Sequence, residues 1–264
     1  TLGHMSQFLK WFSTSPYKDT YDILKVGSPK TYELLEAMIK SLKESFNTTK
    51  IHVGMDEAFG LGFGRYYKEN GYKPQPELFM EHLKKVNEIC LKHGFKDVYI
   101  WSDMFFRMHS ASESYYDPSI TFNKAYTSQI PENVTLVYWD YYNSNQELIK
   151  SMLKRHLELG RNVAVASGTW VWTKLYYDKT KTDATALNLI EACEALDIKE
   201  INFTQWQDDG AYCLYDSIYL GMFDVVNKMH GNSLNKNVFK QISNLSYDLA
   251  VRNTKINDLG FLPI

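Results

Sequence analysis

Residues 79–101 read FMEHLKKVNEICLKHGFKDVYIW. The first part of this segment repeats its apolar residues at helical spacing: Phe79, Leu83, Val86 and Cys90. The stripe stops at Gly94, and glycine is a common helix end because it adopts the left-handed conformation without steric cost. The β-rich run 98–101 follows directly. The segment therefore predicts a helix followed by a short strand.

The same alternation extends along most of the chain. The predicted strands are 51–54, 98–101, 134–139, 163–166 and 201–204. The helical stripes lie in 35–46, 79–90, 148–157, 186–193 and 218–229. Strands that alternate with helices are typical of an α/β fold with a parallel sheet, so we expect either a doubly wound sheet or a (β/α) barrel.

The composition is that of an ordinary globular chain. Its 264 residues are 44% hydrophobic and 23% charged, which excludes disorder and provides apolar material for one large core or two smaller ones. The formal net charge is −2 and no cluster of Lys or Arg interrupts the chain, so we expect no nucleic-acid partner. No stretch approaches the ~20 apolar residues that a membrane span needs.

The cysteines and the first residues exclude two further classes. Cys90, Cys193 and Cys213 are too few and too scattered for a disulfide framework or a zinc cluster, so we interpret them as small core residues. Residues 1–5 have neither the basic start nor the apolar run of a signal peptide. This favours a cytoplasmic protein whose native amino terminus is absent from the sequence.

Acids and indoles follow the predicted strands. The residues at the strand ends are Asp56-Glu57, Trp101-Ser102-Asp103, Tyr138-Trp139-Asp140-Tyr141, Trp170-Val171-Trp172 and Trp206-Gln207-Asp208. In a parallel barrel, the loops at the carboxyl ends of the strands form the catalytic face. A carbohydrate presents hydroxyl groups that acids bind and flat C–H faces that pack on indole rings. The strand ends therefore predict a sugar-binding site.

The neighbouring acids Asp56 and Glu57 are the sharpest chemical feature. Side chains of consecutive strand residues point to opposite faces, so these two share a site only where the strand frays into its loop. Two crowded carboxylates raise the proton affinity of one of them, which would supply a general acid. A solvated pair that caps the next helix is the alternative, and His52 together with the aromatic surroundings argues against it.

Glycines at alternate positions, Gly60, Gly62 and Gly64, follow the acid pair. The first two resemble the start of a dinucleotide-binding loop, but Arg65 occupies the place of the third glycine and the preceding strand ends in two acids. We therefore expect no nucleotide cofactor and interpret this stretch as a flexible active-site loop.

A resemblance to a known family rests on these residues. His52-Val53-Gly54-Met55-Asp56-Glu57 is similar to the His-x-Gly-x-Asp-Glu signature of glycoside hydrolase family 20, the β-N-acetylhexosaminidases. Further segments resemble segments of that family, in the same order along the chain. Leu2-Gly3-His4 resembles the family's Pro-Gly-His, and Trp101-Ser102-Asp103 resembles its Trp-x-Asp. Tyr138-Trp139-Asp140 resembles its Tyr-x-Asp, and Trp206-Gln207-Asp208 resembles its Trp-x-Glu. The chain departs from the family pattern at two positions: Leu2 replaces the proline, and Asp208 replaces the glutamate.

The resemblance implies a (β/α)8 barrel that removes terminal, non-reducing β-linked N-acetylglucosamine or N-acetylgalactosamine. The substrate's own 2-acetamido oxygen would be the nucleophile, and no cofactor or metal is implied. Glu57 would act as general acid and then base, and Asp56 would orient the acetamido group. Tyr138 or Tyr141 would bind the acetamido oxygen, and strand alternation leaves both open. The resemblance implies the remaining roles as follows: Trp101, Trp172 and Trp206 as pocket walls, Asp140 and Asp208 on distal hydroxyls, and His4 and His52 as supports of the acid pair.

The chain is shorter than such a barrel. Counting the run that ends at His4, six of eight strands are visible, which we number 3 to 8 and place in a catalytic barrel of residues 1–231. Residues 232–264 would close the barrel or begin a helical extension. The absent first strands would hold the family's hydroxyl-binding Arg and the Asp partner of His4. The oligomeric state is left open.

Three alternatives remain. A two-carboxylate retaining glycosidase would use Glu57 with Asp103 or Asp208, about 5 Å apart. A lectin-like barrel would keep the aromatic pocket without turnover. A metal hydrolase is the least favoured, because His4 and His52 lack a close-spaced ligand partner in the sequence.

Overall fold

The structure is a computed structural model that describes residues 1–159, 162–207 and 212–259. The chain divides into two compact units. The first consists of Thr1–Tyr138 with Arg155–Val163, and the second of Trp139–Lys154 with Ala164–Ile264.

Among the described residues, five strands form one sheet in chain order. They are β1 (Lys50–His52), β2 (Asp97–Trp101), β3 (Val134–Trp139), β4 (Asn162–Gly168) and β5 (Ile201–Thr204). β1 pairs in parallel with β2, β2 with β3, and β4 with β5. Every strand predicted from the β-rich runs is confirmed to within about three residues.

Helices separate the strands, as the periodicity predicts. The α-helices of the first unit are α1 (Ser6–Leu9), α2 (Pro29–Ser45), α3 (Arg65–Asn70), α4 (Gln75–Lys92), α5 (Asp103–Arg107) and α6 (Lys124–Thr127). Those that follow are α7 (Gln146–Glu158), α8 (Lys179–Thr182), α9 (Asn188–Ala195), α10 (Ile218–Met229), α11 (Lys236–Ser243) and α12 (Tyr247–Asn253). Short 3₁₀ or π-helical segments cover Phe12–Tyr17, Asp183–Leu187, Tyr215–Ser217 and Thr254–Leu259.

The core of the first unit forms around α4. All four stripe residues of this helix are fully buried: Phe79, Leu83, Val86 and Cys90. α2 packs on α4 and buries Leu35 and Ile39, whereas Met38 and Leu42 of its predicted stripe are exposed. The periodicity therefore predicted both helices. Of the two, α4 buries its whole apolar stripe and α2 buries only part of it.

The core of the second unit is rich in aromatic rings. Phe223 of α10, Phe239 of α11 and Tyr247 of α12 lie with ring centroids 5.5 to 5.8 Å apart. The described residues beyond 231 thus form helices that pack on α10. A domain boundary at residue 231 stays a prediction.

The run that ends at His4 is not a strand. The amino group of Thr1 donates to Val53 O at 2.8 Å, just beyond β1, but no strand ladder follows among the described residues. His4 has a left-handed backbone with φ of 57°, which no extended strand accommodates. The described residues therefore contain five strands where the sequence suggested six.

The structure also bears on the cysteines and on membrane-spanning helices. All three cysteines are free thiols, and Cys90 and Cys193 are buried, as expected of small core residues. Within the part of the chain that the structure describes, no helix combines the length and the apolar character needed to cross a membrane.

The buried aromatic layer gives a stability prediction. Phe105 of α5 is 1% exposed and packs edge-on against Phe79 at 5.4 Å. We expect Phe105→Ala to lower the free energy of unfolding by about 3–5 kcal/mol, because it removes buried area and leaves a cavity. Phe12→Ala is the matched control, since Phe12 is 96% exposed. Urea denaturation of both variants measures the difference, and equal losses would contradict this packing.

Candidate active site

The acid pair lies on an irregular turn that follows β1. Gly54, Met55 and Glu57 have left-handed backbones, with φ values of 73°, 74° and 49°. Because the chain turns here, the two neighbouring carboxylates do not point to opposite faces. Both reach one partner: Nε2 of His4 lies 3.1 Å from Asp56 Oδ2 and 3.3 Å from Glu57 Oε2. The consecutive acids therefore share one site, as a frayed strand end predicts.

Two of these left-handed residues, Met55 and Glu57, are not glycine. Backbone strain costs about 1–3 kcal/mol for each, so neighbouring residues must stabilise the turn. Met55 is buried, and the backbone N–H of Glu57 donates to Asp103 Oδ2 at 3.0 Å. Asp103 is itself fully buried. A Cβ atom on Gly3 would lie 2.9 Å from the carbonyl oxygen of Asp56, so only glycine permits this close approach of the two backbones.

A second buried carboxylate, Asp19, anchors the loop after the acid pair. Its side chain accepts the N–H of Gly62 at 2.8 Å and that of Tyr66 at 2.7 Å. Gly62 has a φ of 79°, and a Cβ atom there would lie 2.4 Å from Leu78. The predicted flexibility of this loop stays a prediction. Gly62 permits a left-handed turn and close packing on Leu78, in a segment that donates hydrogen bonds to Asp19.

His4 carries the positive charge between the two acids. Hydrogen bonds to Asp56 and Glu57 raise the pKa of His4 to about 10, so its imidazole is protonated at neutral pH. The hydrogen bond from His4 in turn lowers the pKa of Glu57. For Glu57, the expectation that crowding raises its proton affinity is wrong in this structure. The physical reason is that a cation lies between the two carboxylates.

Tyr115 is a further partner of Glu57. Hydrogen bonding by Tyr115 also lowers the pKa of Glu57. Burial and the nearby carboxylate raise the pKa of Tyr115, so its hydroxyl keeps its proton. Nothing in the sequence indicates this contact, because the loop between α5 and α6 has neither helical nor strand periodicity.

His52 and Trp101 lie together beside the turn. Their ring centroids are 4.4 Å apart, and His52 Nδ1 accepts the N–H of Gly54 at 3.1 Å. A ring nitrogen that accepts a hydrogen bond carries no proton, and loss of water lowers the pKa of His52 to about 4. His52 is therefore a neutral residue that holds the backbone of the turn, whereas His4 contacts the acids directly.

In the second unit, several of the strand-end aromatics form one buried cluster. Trp170 and Trp172 stack with ring centroids 3.8 Å apart, and Tyr141 lies edge-on to Trp172 at 5.5 Å. Trp139 stacks on Tyr141 at 5.6 Å. Gly168 ends β4 below this cluster, and a Cβ atom there would lie 2.3 Å from the Trp172 ring. The position therefore requires glycine for Trp172 to pack as it does.

The structure separates the two tyrosines that the sequence left as alternatives. Tyr138 is fully buried in the first unit, where its ring packs against His156 at 4.7 Å and Tyr116 at 4.8 Å. Tyr141 belongs to the aromatic cluster of the second unit. Contact of either tyrosine with a ligand stays a prediction.

The remaining candidates have separate positions. Asp140 Oδ1 accepts the N–H of Tyr142 at 3.1 Å and that of Asn143 at 3.0 Å, so it caps the turn after β3. Trp206 follows β5 and is 38% exposed. Asp208 lies outside the described residues. The sugar-binding roles of Asp140, Trp206 and Asp208 stay predictions.

The folded chain brings three groups of metal-ligand type together, which the sequence spacing did not reveal. One ligand atom each of His4, Asp56 and Glu57 lies within 4.8 Å of the others. These atoms already satisfy one another as ion pairs, and exposed acidic clusters are common without an ion. We assign no metal to them.

Active sites of (β/α) barrels lie at the carboxyl ends of the strands, and a pair of carboxyl groups is typical of glycoside hydrolases. The sequence model of glycosyl hydrolase family 20, catalytic domain, matches residues 5–216. The chain belongs to this family. No curated protein matches it.

Solved structures show the same fold. The N-acetyl-β-hexosaminidase of Streptomyces plicatus, in complex with Thio-NAglucal, matches 96% of the chain at 12% identity with a TM-score of 0.53. The β-N-acetylhexosaminidase of Bacteroides fragilis matches 86% at 16% identity with a TM-score of 0.55. The matches cover 50% and 47% of those proteins, so the chain spans about half of their length. The predicted fold class, part of a (β/α) barrel, is confirmed.

The raised pKa of His4 gives a pH prediction. Between pH 6.5 and about 10, the folded protein holds a proton on His4 that the unfolded chain releases, so this contribution to stability falls as the pH rises. It is present in full below pH 6.5 and lost through about pH 10. Since His4 is largely exposed, we expect no more than about 1 kcal/mol.

Denaturation of the wild type and of His4→Gln across this pH range measures the effect. The stability difference between the two proteins should shrink as the pH rises, and NMR titration of His4 should show a pKa well above 6.5. A difference that is constant with pH would contradict the ion pair.

Proposed function

We propose that the complete protein containing this chain hydrolyses terminal β-linked N-acetylhexosaminides, with Glu57 as general acid and base and Asp56 as the partner of the 2-acetamido group. The observation that carries the proposal is the His4-bridged acid pair at a strand end in a member of glycosyl hydrolase family 20. The structural neighbours support the substrate class: one Streptomyces plicatus enzyme variant is in complex with the product GlcNAc.

In the proposed reaction, the acetamido oxygen attacks the anomeric carbon as the glycosidic C–O bond breaks. Glu57 gives its proton to the leaving oxygen, and Asp56 stabilises the positive charge that develops on the oxazolinium ring. Water then attacks the anomeric carbon and returns a proton to Glu57. The configuration at that carbon is retained, because it is displaced twice.

The proton on Glu57 needs a source, since the ionised carboxylate faces protonated His4 in the resting structure. A shift of one proton from His4 Nε2 to Glu57 Oε2, 3.3 Å away, produces the acid form without taking a proton from solvent. Neutral His4 with protonated Glu57 has the same total charge as the resting pair. We propose that this tautomer is the one that reacts.

The two-carboxylate alternative is less well supported. Asp103 is fully buried, and its Oδ2 accepts the backbone N–H of Glu57 at 3.0 Å. A retaining nucleophile must reach the anomeric carbon, whereas this carboxylate is engaged with the backbone below the turn. The other partner considered from the sequence, Asp208, lies outside the described residues.

The central test replaces the acid pair. Glu57→Gln keeps the shape of the side chain but carries no transferable proton, so we expect kcat on an aryl β-N-acetylglucosaminide to fall by about 10²–10⁴-fold. Asp56→Asn should lower kcat as well, because the amide does not stabilise the oxazolinium charge. Glu44→Gln, an exposed residue paired with Lys40 on α2, is the control and should keep wild-type turnover. Near-normal activity of Glu57→Gln would overturn the assignment.

A second measurement separates the alternatives. The wild type should hydrolyse the aryl β-N-acetylglucosaminide and leave the matching aryl β-glucoside intact, because the glucoside lacks the acetamido nucleophile. Comparable turnover of both substrates would favour a protein nucleophile. Binding of N-acetylglucosamine without any hydrolysis would indicate a lectin-like protein.

A further inference from the structure

An exposed aromatic side chain lies on the turn that carries the acid pair. Phe59 follows Glu57 by two residues, and its backbone N–H donates to the Glu57 carbonyl oxygen at 2.8 Å. The Phe59 carbonyl oxygen accepts the side-chain amide of Gln75 at 2.9 Å, so the backbone is held at both of its polar groups. Phe59 is nevertheless 41% exposed. A flat apolar surface therefore lies beside the acid pair.

Helix α5 fixes this ring relative to the acid. Asp103, its first residue, accepts the backbone N–H of Glu57 at 3.0 Å. Arg107 lies four residues later, on the same face of the helix, and its guanidinium carbon is 4.1 Å from the Phe59 ring centroid. Single exposed aromatic rings are common on protein surfaces, but one helix here holds both the acid and the ring.

The ring of Tyr115 lies at the side of the Phe59 ring. The two centroids are 5.7 Å apart with the ring planes at 72°, and the Tyr115 centroid is 5.9 Å from the Arg107 guanidinium carbon. If Tyr115 lay across the ring from Arg107, that last distance would be the sum of the other two. Arg107 therefore covers one face of Phe59 and Tyr115 its edge, and neither of them covers the second face.

Polar groups without net charge border this surface. The Arg107 guanidinium pairs with the Glu113 carboxylate at 2.7 Å, and the Glu113 side chain is 73% exposed. The two charges cancel, so the surface favours neither an anion nor a cation. A sugar ring presents a flat C–H face together with hydroxyl groups at its edge. An apolar face bordered by a neutral pair of hydrogen-bonding groups fits an uncharged sugar.

We propose that Phe59 is the platform for the leaving sugar of the substrate, and that Arg107 and Tyr115 hold its ring in place. The inference rests on the proposed role of Glu57 as general acid. The leaving oxygen has to come within hydrogen-bond reach of Glu57, so the sugar attached to it lies beside the turn that carries Phe59. The substrate class is then a β-linked oligosaccharide whose second ring packs on Phe59, in preference to the glycoside of a small alcohol.

The test is Phe59→Ala in the complete protein, assayed on a β-linked disaccharide of N-acetylglucosamine and on methyl β-N-acetylglucosaminide. Both substrates carry the same terminal sugar and lose an alcohol, so an effect on Glu57 itself cancels in the ratio of their kcat/KM values. We expect the ratio of disaccharide to methyl glycoside to fall about 3- to 10-fold, the loss of one ring contact. An unchanged ratio would overturn the platform and leave the proposed function standing.

Phe46→Ala is the matched control and should keep the wild-type ratio. Phe46 is 60% exposed and follows α2, before β1 begins, so it lies at the opposite end of that strand from the acid pair. Phe59→Leu keeps apolar bulk without a flat face and should lower the ratio, whereas Phe59→Trp should restore most of it. Thermal unfolding checks that each variant folds.

Hexyl β-N-acetylglucosaminide separates sugar packing from general apolar contact, because its leaving group is apolar but has no ring. Relative to the methyl glycoside, its kcat/KM should fall less in Phe59→Ala than that of the disaccharide. An equal fall for both would overturn the assignment of a sugar to this surface.

A binding measurement distinguishes failure of this inference from failure of the proposed function. A wild type that hydrolyses none of these glycosides would overturn the proposed function. Calorimetric titration with the disaccharide still tests the platform: Phe59→Ala should bind about 3- to 10-fold more weakly than the wild type, and Phe46→Ala should match the wild type. Equal affinities, or a wild type that binds no disaccharide, would overturn the inference.

Discussion

Two carboxylates on consecutive residues repel each other, and the imidazolium of His4 is the cation that keeps them together. The rest of the site depends on this contact. It requires His4 to approach the turn after β1, which Gly3 permits by lacking a side chain against the Asp56 carbonyl. It also requires a left-handed backbone at Glu57, which the buried Asp103 holds through the Glu57 N–H. Removing the cation would leave like charges on a strained turn, so charge and backbone strain are coupled here.

The same contact makes the resting site unlike a simple pair of crowded acids. In such a pair, mutual repulsion leaves one carboxyl group protonated and ready to donate. Here the proton resides on His4, and the Glu57 carboxylate is ionised between His4 and Tyr115. The hydrogen-bond donors around Glu57 therefore affect its charge more than the neighbouring acid does. The chain belongs to glycosyl hydrolase family 20, and the contacts around Glu57 set the charge of this residue.

Sequence patterns predicted regular elements well and irregular ones poorly. The stripe of α4 follows from helical periodicity, because burial on one face repeats with the turn of the helix. The five strands follow from short β-rich runs, and consecutive residues of β2, β3 and β4 are buried. Tyr138 and Tyr141 show the limit. Both follow or end β3, and only the structure shows that Tyr138 packs in a core while Tyr141 joins the tryptophan cluster. The partner of the glycine-rich loop was not predictable for a similar reason, since Asp19 lies more than forty residues earlier in the chain.

By itself, the sequence determined the α/β class, the position of the acid pair at a strand end and the residue types suited to a sugar, since these are properties of short segments. Only the tertiary structure decided that His4 bridges the acids, that Tyr115 reaches Glu57 and that the pKa of Glu57 falls. Hydrogen bonds and charge effects depend on distances of a few ångströms between residues far apart in the chain, and no local pattern encodes those distances.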